Sequence, residues 1–296
     1  MPTIGFIGLG NMGRPMAANL VKAGNRVVGF DLATASVQSS ADAGVQIATD
    51  PRSAVEKADI VISMLPAGEH VIAVWRDALP AARKGALFID CSTIDVTRAR
   101  QAHALAAEHK IGSLDAPVSG GVGGATAATL TFMVGGSNEA FARGKPVLER
   151  MGKRVVHCGE AGNGQAAKIC NNMILGASMI AVCEAFVLGE KLGLSHQALF
   201  DVASASSGQC WSLTSYCPVP GPVPASPANN AYKPGFAAAL MLKDLNLAQD
   251  AAASVKAKTA LGAHAARIYE HFLQHGQGAL DFSGIINLVR QESDRD

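Results

Sequence analysis

The residues best placed to do chemistry lie in Gly164-Gln165-Ala166-Ala167-Lys168-Ile169-Cys170-Asn171-Asn172, where a lysine and an asparagine stand four apart in an apolar run. On a helix, Lys168 and Asn172 project from one face into the same space. An ammonium held against apolar surface loses hydration, its pKa falls, and it becomes a group that exchanges a proton near neutral pH. Taken alone, Lys168 reads more simply as one of 25 Lys and Arg residues, laying its stem along the protein and keeping its charge in water. The rest of the chain decides between the two.

A second constellation opens the chain. The apolar run Thr3–Ile7 stops at Gly8-Leu9-Gly10-Asn11-Met12-Gly13, and residues 14–23 then read as a helix closed by Gly24. In a strand, glycine turn and helix of this kind, Gly8 permits the tight turn and Gly10 admits a pyrophosphate close to the backbone. Gly13 lets the helix pack on the strand, with the diphosphate over the helix N-terminus. The next strand, Arg26–Phe30, ends at Asp31, where a carboxylate would accept hydrogen bonds from the adenosine ribose hydroxyls. A carboxylate also repels a 2′-phosphate, and no Arg or Lys stands between Asp31 and Arg52 to bind one, so NAD is expected rather than NADP.

Further buried strands are expected at 59–65, 86–90 and 111–115, with helices between them, which makes a mostly parallel, doubly wound Rossmann-type sheet. The loops at its strand ends then line the ligand crevice: Leu65-Pro66, Ser92-Thr93 and Asp115-Ala116-Pro117-Val118-Ser119-Gly120-Gly121. Ser119 and its glycines can offer a hydroxyl and backbone N–H groups to a carboxylate. A turn that merely leads to a strand at 129–134 fits the same residues.

After a strand at 154–157 the pattern becomes helical. A long helix at 165–192 spans roughly 42 Å at about 1.5 Å per residue, enough to leave one domain and found another. Helices are expected at 196–206, 236–254 and 258–275. The fold class is therefore α/β: an NAD-binding domain at 1–163 and an all-α domain at 164–296, joined by the long helix. Between these helices, 217–227 holds prolines at 218, 220, 222, 224 and 227 and is expected to wrap over a surface. Lys243-Asp244 is an isolated charge pair in an alanine-rich helix, readable as a solvated face. His271 and His275 share a helix face without a third ligand, so they read as surface histidines and no metal site is expected.

Composition fits a small-molecule enzyme. The net charge of +1 gives no reason to expect nucleic acid or an anionic membrane, and 49% hydrophobic residues allow large cores. Six cysteines without CxxC pairs read as reduced core residues of a cytoplasmic protein. A strand starting at Thr3 leaves no room for a leader, and the stretch between Lys168 and Glu184 is expected to fall short of spanning a membrane.

With these motifs in this order, the chain resembles the β-hydroxyacid dehydrogenases over essentially its whole length. Four motifs carry the resemblance: Phe6-Ile7-Gly8-Leu9-Gly10-Asn11-Met12-Gly13, the Asp115 to Gly121 loop, Gly164 through Asn172, and Lys243-Asp244. Ser207-Gly208-Gln209-Cys210-Trp211-Ser212 and the proline-rich stretch are most similar to members acting on 3-hydroxyisobutyrate. The resemblance implies Lys168 as general acid/base and Asn172 as the residue orienting substrate. It implies that Ser119, Gly120 and Gly121 grip the substrate carboxylate, with Trp211 and Asp244 shaping the pocket. It further implies NAD contacts from Leu65, Pro66, Thr93, Lys243 and His70, the last standing where similar enzymes have Asn. The activity implied is NAD-dependent oxidation of a small 3-hydroxy acid by a homodimer or homotetramer. The alternatives are sister activities on L-serine, tartronate semialdehyde or succinate semialdehyde, and a non-catalytic NAD-binding module.

Overall fold

Apolar runs alternating with helical segments build a nine-stranded sheet in the first half of the chain. The computed structural model describes residues 1–294, and the chain divides into two units, Met1–Lys168 and Ile169–Asp296. The first unit runs β1 (Thr3–Ile7), α1 (Gly13–Lys22), β2 (Arg26–Phe30), α2 (Thr34–Asp42), β3 (Gln46–Ile47), α3 (Pro51–Val55), β4 (Ile60–Ser63), α4 (Gly68–Ala78), β5 (Leu87–Asp90) and α5 (Val96–Glu108). It continues with β6 (Gly112–Asp115), β7 (Val118–Ser119), α6 (Gly121–Thr126), β8 (Leu130–Gly135), α7 (Asn138–Leu148) and β9 (Gly152–Gly159).

Strand order is β3-β2-β1-β4-β5-β6-β8-β7, with β9 beside β8. The first six strands are mutually parallel, and β8 runs antiparallel to β6 and β7. The order reverses at β1, so the loops after β1 and β4 flank the switch point at which such sheets bind ligands. Side chains alternate between two cores. Ile4, Phe6, Ile60, Ile62, Leu87 and Ile89 pack on one face with Met16, Leu20 and Leu148, whereas Val61 and Phe88 pack on the other with Val55, Trp75 and Ala102. Each fully buried aliphatic or aromatic side chain contributes about 2 kcal/mol by leaving water, so the strand ends stand on a rigid base.

The second unit is helical. It contains most of α8 (Asn163–Lys191), then α9 (His196–Ser204), α10 (Trp211–Thr214), α11 (Ala238–Ser254), α12 (Ala260–Gln274) and α13 (Ile286–Ser293). Its core joins Met179, Cys183 and Phe186 of α8 to Met241 and Leu245 of α11 and Tyr269 and Phe272 of α12. Gly176 of α8 and Gly262 of α12 allow close helix contact, since a Cβ on Gly262 would stand 2.6 Å from the Met173 sulfur.

The two units divide at Lys168–Ile169, inside α8. Several expectations need correction. By length and composition α8 is apolar enough to cross a membrane, contrary to the sequence reading, but half of its most apolar window is buried inside the protein, as in a core helix. The proline-rich stretch does not simply wrap a surface. Cys217 and Val219 are fully buried in the helical core, with the Ser226 hydroxyl donating to Cys217 O at 2.6 Å and the Tyr232 hydroxyl to Pro218 O at 2.8 Å. Of the six free cysteines, Cys91, Cys183 and Cys217 are buried but Cys170 is exposed.

Candidate active site

The parallel strands end on one edge of the sheet, and the loops that leave it carry the expected cofactor residues. Gly8 has φ +96°, and a Cβ there would lie 2.2 Å from Met64 O; one on Gly13 would lie 1.8 Å from Gly8 O. Packing of the protein on itself therefore accounts for two of the three glycines. Gly10 differs, because a Cβ there meets nothing within 4 Å. Its backbone faces open space, as expected where an outside group approaches. α1 follows without a side-chain cap or an acidic residue in its first turn, which leaves its positive end to an anion.

Asp31 also organises the turn. Its Oδ2 accepts the Leu9 N–H at 2.6 Å and its Oδ1 the Ala33 N–H at 2.7 Å. A carboxylate has about four acceptor positions, so two ribose hydroxyls can still be served. These features fit a dinucleotide with an unphosphorylated adenosine ribose.

Behind the next two loops lies a buried hydrogen-bond network. The Leu65 N–H donates to Ser92 Oγ at 2.8 Å, while the Ser92 and Ser63 hydroxyls each donate to Asp90 Oδ1 at 2.7 Å. Trp75 Nε1–H donates to Ser63 Oγ at 3.0 Å. Asp90 Oδ2 has no hydrogen-bond partner among the described residues, and burial pushes this carboxyl up to about 6 against the pull of the serines. The network holds Leu65-Pro66 on one side and Thr93 on the other. Pro66 and His70 are exposed and Thr93 is half-buried.

Asp115, at the end of β6, binds the start of α8. Its Oδ1 accepts the Gly162 N–H at 2.8 Å and its Oδ2 the Gln165 N–H at 2.9 Å, while His103 Nε2 lies 2.9 Å from Oδ1. A negative group at a helix N-terminus both fills open donors and opposes the helix dipole. Contact is intimate here, since a Cβ on Gly164 would come within 2.4 Å of Met133 O and 2.6 Å of Asp115 O. One turn further, on the face of Gly164, stands Lys168, only 6% exposed. The reading of Lys168 as a solvated surface lysine is thereby set aside. Ser119 lies on β7 opposite Thr131, and Gly120 and Gly121 take φ +133° and +60° at the start of α6, a backbone that L side chains rarely adopt.

The remaining expected residues belong to the second unit. Asn172, 1% exposed, donates from Nδ2 to Asp244 Oδ2 at 2.5 Å and accepts at Oδ1 from Asn171 at 3.0 Å. Asp244 is 3% exposed, so it does not belong to a solvated face. Neighbouring Lys243 is half-buried. Trp211 is half-exposed and stacks on Tyr216 at 4.8 Å, whose hydroxyl donates to Asp281 at 2.9 Å. His271 and His275 contact each other edge to face at 4.4 Å, and His271 faces Glu292 at 3.3 Å. Gln165, Asp90 and His103 were not singled out from sequence. The only signal for Gln165 was its place inside the Lys168 motif.

Known proteins resemble this chain over nearly its whole length. Residues 3–159 match the family model described as the NAD binding domain of 6-phosphogluconate dehydrogenase. Residues 162–289 match the model described as NAD-binding of NADP-dependent 3-hydroxyisobutyrate dehydrogenase. The chain is 56% identical to a probable 3-hydroxyisobutyrate dehydrogenase of Mycobacterium tuberculosis, covering 99% of this chain and 100% of that protein. It is 50% identical to 3-hydroxyisobutyrate dehydrogenase of Pseudomonas aeruginosa, covering 98% and 99%. A solved structure of the Mycobacterium tuberculosis enzyme with L-serine superposes with a TM-score of 0.95 over 98% of this chain and 99% of that one, at 56% identity.

Proposed function

The chain belongs to the β-hydroxyacid dehydrogenase family, among the NAD-dependent 3-hydroxyisobutyrate dehydrogenases, and from that premise we propose how its residues divide the work. The substrate is 3-hydroxyisobutyrate and the product methylmalonate semialdehyde, a step of valine breakdown. The backbone N–H groups of Gly120 and Gly121 and the Ser119 hydroxyl bind the substrate carboxylate, which fixes the hydroxyl-bearing carbon for reaction. Lys168, in its neutral form, takes the hydroxyl proton at Nζ as the alcohol becomes a carbonyl, and returns it in the reverse direction. When bound, NAD supplies the acceptor for the hydride that leaves the same carbon. Asn172, held by Asp244, uses its second amide hydrogen to orient the substrate oxygen.

The observation that carries this reading is the buried Lys168 on a helix whose first turn is bonded to Asp115 at the sheet edge. Leu65, Pro66, His70, Thr93 and Lys243 are proposed cofactor contacts, and Trp211 a wall of the substrate pocket. The one family description that names an NADP-dependent enzyme is set against Asp31, whose charge favours NAD. We assign the NAD-binding domain to 1–163 and the substrate and oligomerisation domain to 164–296. We place the protein in the cytoplasm as a homodimer or homotetramer, supported by exposed Ile174, Leu188 and Leu192 along α8 and its end.

Initial rates of NADH or NADPH formation test the substrate. The panel is (S)- and (R)-3-hydroxyisobutyrate, L-serine, D-glycerate and 4-hydroxybutyrate, each with NAD and NADP. The highest kcat/KM is expected for (S)-3-hydroxyisobutyrate with NAD. A higher value with L-serine or D-glycerate moves the protein to a sister activity.

A further inference from the structure

We infer that Gln165 is a positioning residue that ties the loop carrying Thr93 to the helix carrying Lys168, so that one buried amide sets the proton-accepting amine against the cofactor loop. The inference rests on the roles given above to Lys168 and Thr93. Gln165 is fully buried, and it stands three residues before Lys168, within one turn of α8. Its side-chain Oε1 accepts the Ile94 N–H at 3.1 Å, and its Nε2 donates to Ser92 O at 2.7 Å. These two backbone groups bracket Thr93.

The loop between the end of β5 at Asp90 and the start of α5 at Val96 has left the sheet, so its buried backbone groups need partners from elsewhere. An amide meets that need with one acceptor and one donor in a single plane, which neither an apolar side chain nor an ionised carboxylate provides. The backbone of the same residue is fixed as well, through its N–H to Asp115 Oδ2 at 2.9 Å. Gln165 is therefore held at three points, two on the cofactor loop and one on the end of β6. The helix cannot slide or turn without breaking at least one of them, and Lys168 moves with it.

Two variants separate positioning from stability. Gln165→Met keeps the length of the side chain and loses both hydrogen bonds. Gln165→Glu keeps the shape but regains a donor only when protonated. The full-length enzyme is assayed with NAD and with (S)-3-hydroxyisobutyrate carrying hydrogen or deuterium on the carbinol carbon, and sites are counted by NADH fluorescence titration. Gln165→Met is expected to lower kcat per NADH-binding site by about 10- to 100-fold, with substrate KM within about threefold of the parent. The deuterium isotope effect on kcat rises as the misaligned step becomes limiting. Gln165→Glu is expected to show the same loss at pH 8 and to recover towards the parent at pH 6, each compared with the parent at the same pH. If Gln165→Met does not fold, this pH dependence carries the test.

A kcat per site within about twofold of the parent in Gln165→Met, or in Gln165→Glu at pH 8, overturns the inference, as does activity lost only in proportion to binding sites. A Lys168→Ala variant that keeps full turnover removes the reading beneath it. Full turnover in the Gln165 variants beside an inactive Lys168→Ala removes this inference alone.

Discussion

Two aspartates end neighbouring strands in register, Asp90 on β5 and Asp115 on β6, and both are 2% exposed, yet their surroundings differ. Asp115 accepts two backbone N–H groups from the start of α8 and a contact from His103, so both of its oxygens are served. Asp90 has only the two serine hydroxyls and a long Ser92 N–H contact on one oxygen, and nothing on the other among the described residues. Burial alone therefore does not fix what a carboxylate does. With oriented backbone donors it anchors a helix; with hydroxyls as its main partners on one oxygen, burial pushes it up to about 6 while it holds two loops.

The largest effect on that comparison should come from Asp115→Ala. Two buried N–H groups and His103 lose their partner, at a cost of about 4 kcal/mol, read as a lower urea midpoint, and kcat falls along with it. Stability left unchanged would mean that α8 does not depend on this cap.

Asp90 should act through pH. Its folded pKa, about 6, lies above its ordinary value of 3.8. The stability it contributes is present in full below about pH 4 and is lost as pH rises through about 6, a total of about 3 kcal/mol. Asp90→Asn should flatten that part of the stability curve in urea titrations between pH 4 and 7. An unchanged slope would mean that Asp90 is ionised throughout.

The smallest effect should come from Asp31→Asn, which keeps an acceptor for the Leu9 N–H and removes the charge. The ratio of kcat/KM for NADP to that for NAD should rise about tenfold, or about 1.4 kcal/mol. No change would place the choice of cofactor elsewhere.

How much of this was legible in the sequence follows the range of the interactions. β1 and β2 have the expected bounds because short apolar runs between turn residues report a buried strand directly. β3 and β7, two residues each, lack enough pattern to be seen. α6 was missed because Gly121-Val122-Gly123-Gly124 reads as a turn, and glycine is a poor helix former. In the site, Gly8 through Gly13 stand out through local spacing, whereas Lys168 gains its meaning only beside the other motifs of the chain. Asp244 does not stand out: its partner Asn172 lies 72 residues away, so from sequence its charge suggests solvent. Gln165 shows the same limit, since Ser92 and Ile94 are more than 70 residues distant.

The central claim is that Lys168 moves the proton and does not hold the cofactor. The measurement is kcat for (S)-3-hydroxyisobutyrate and the Kd for NADH in Lys168→Ala, side by side with the parent. A fall in kcat of about 1,000-fold or more, with NADH binding nearly unchanged and the fold intact by circular dichroism, is the predicted result. Turnover close to the parent's, or lost NADH binding in a folded variant, would contradict it.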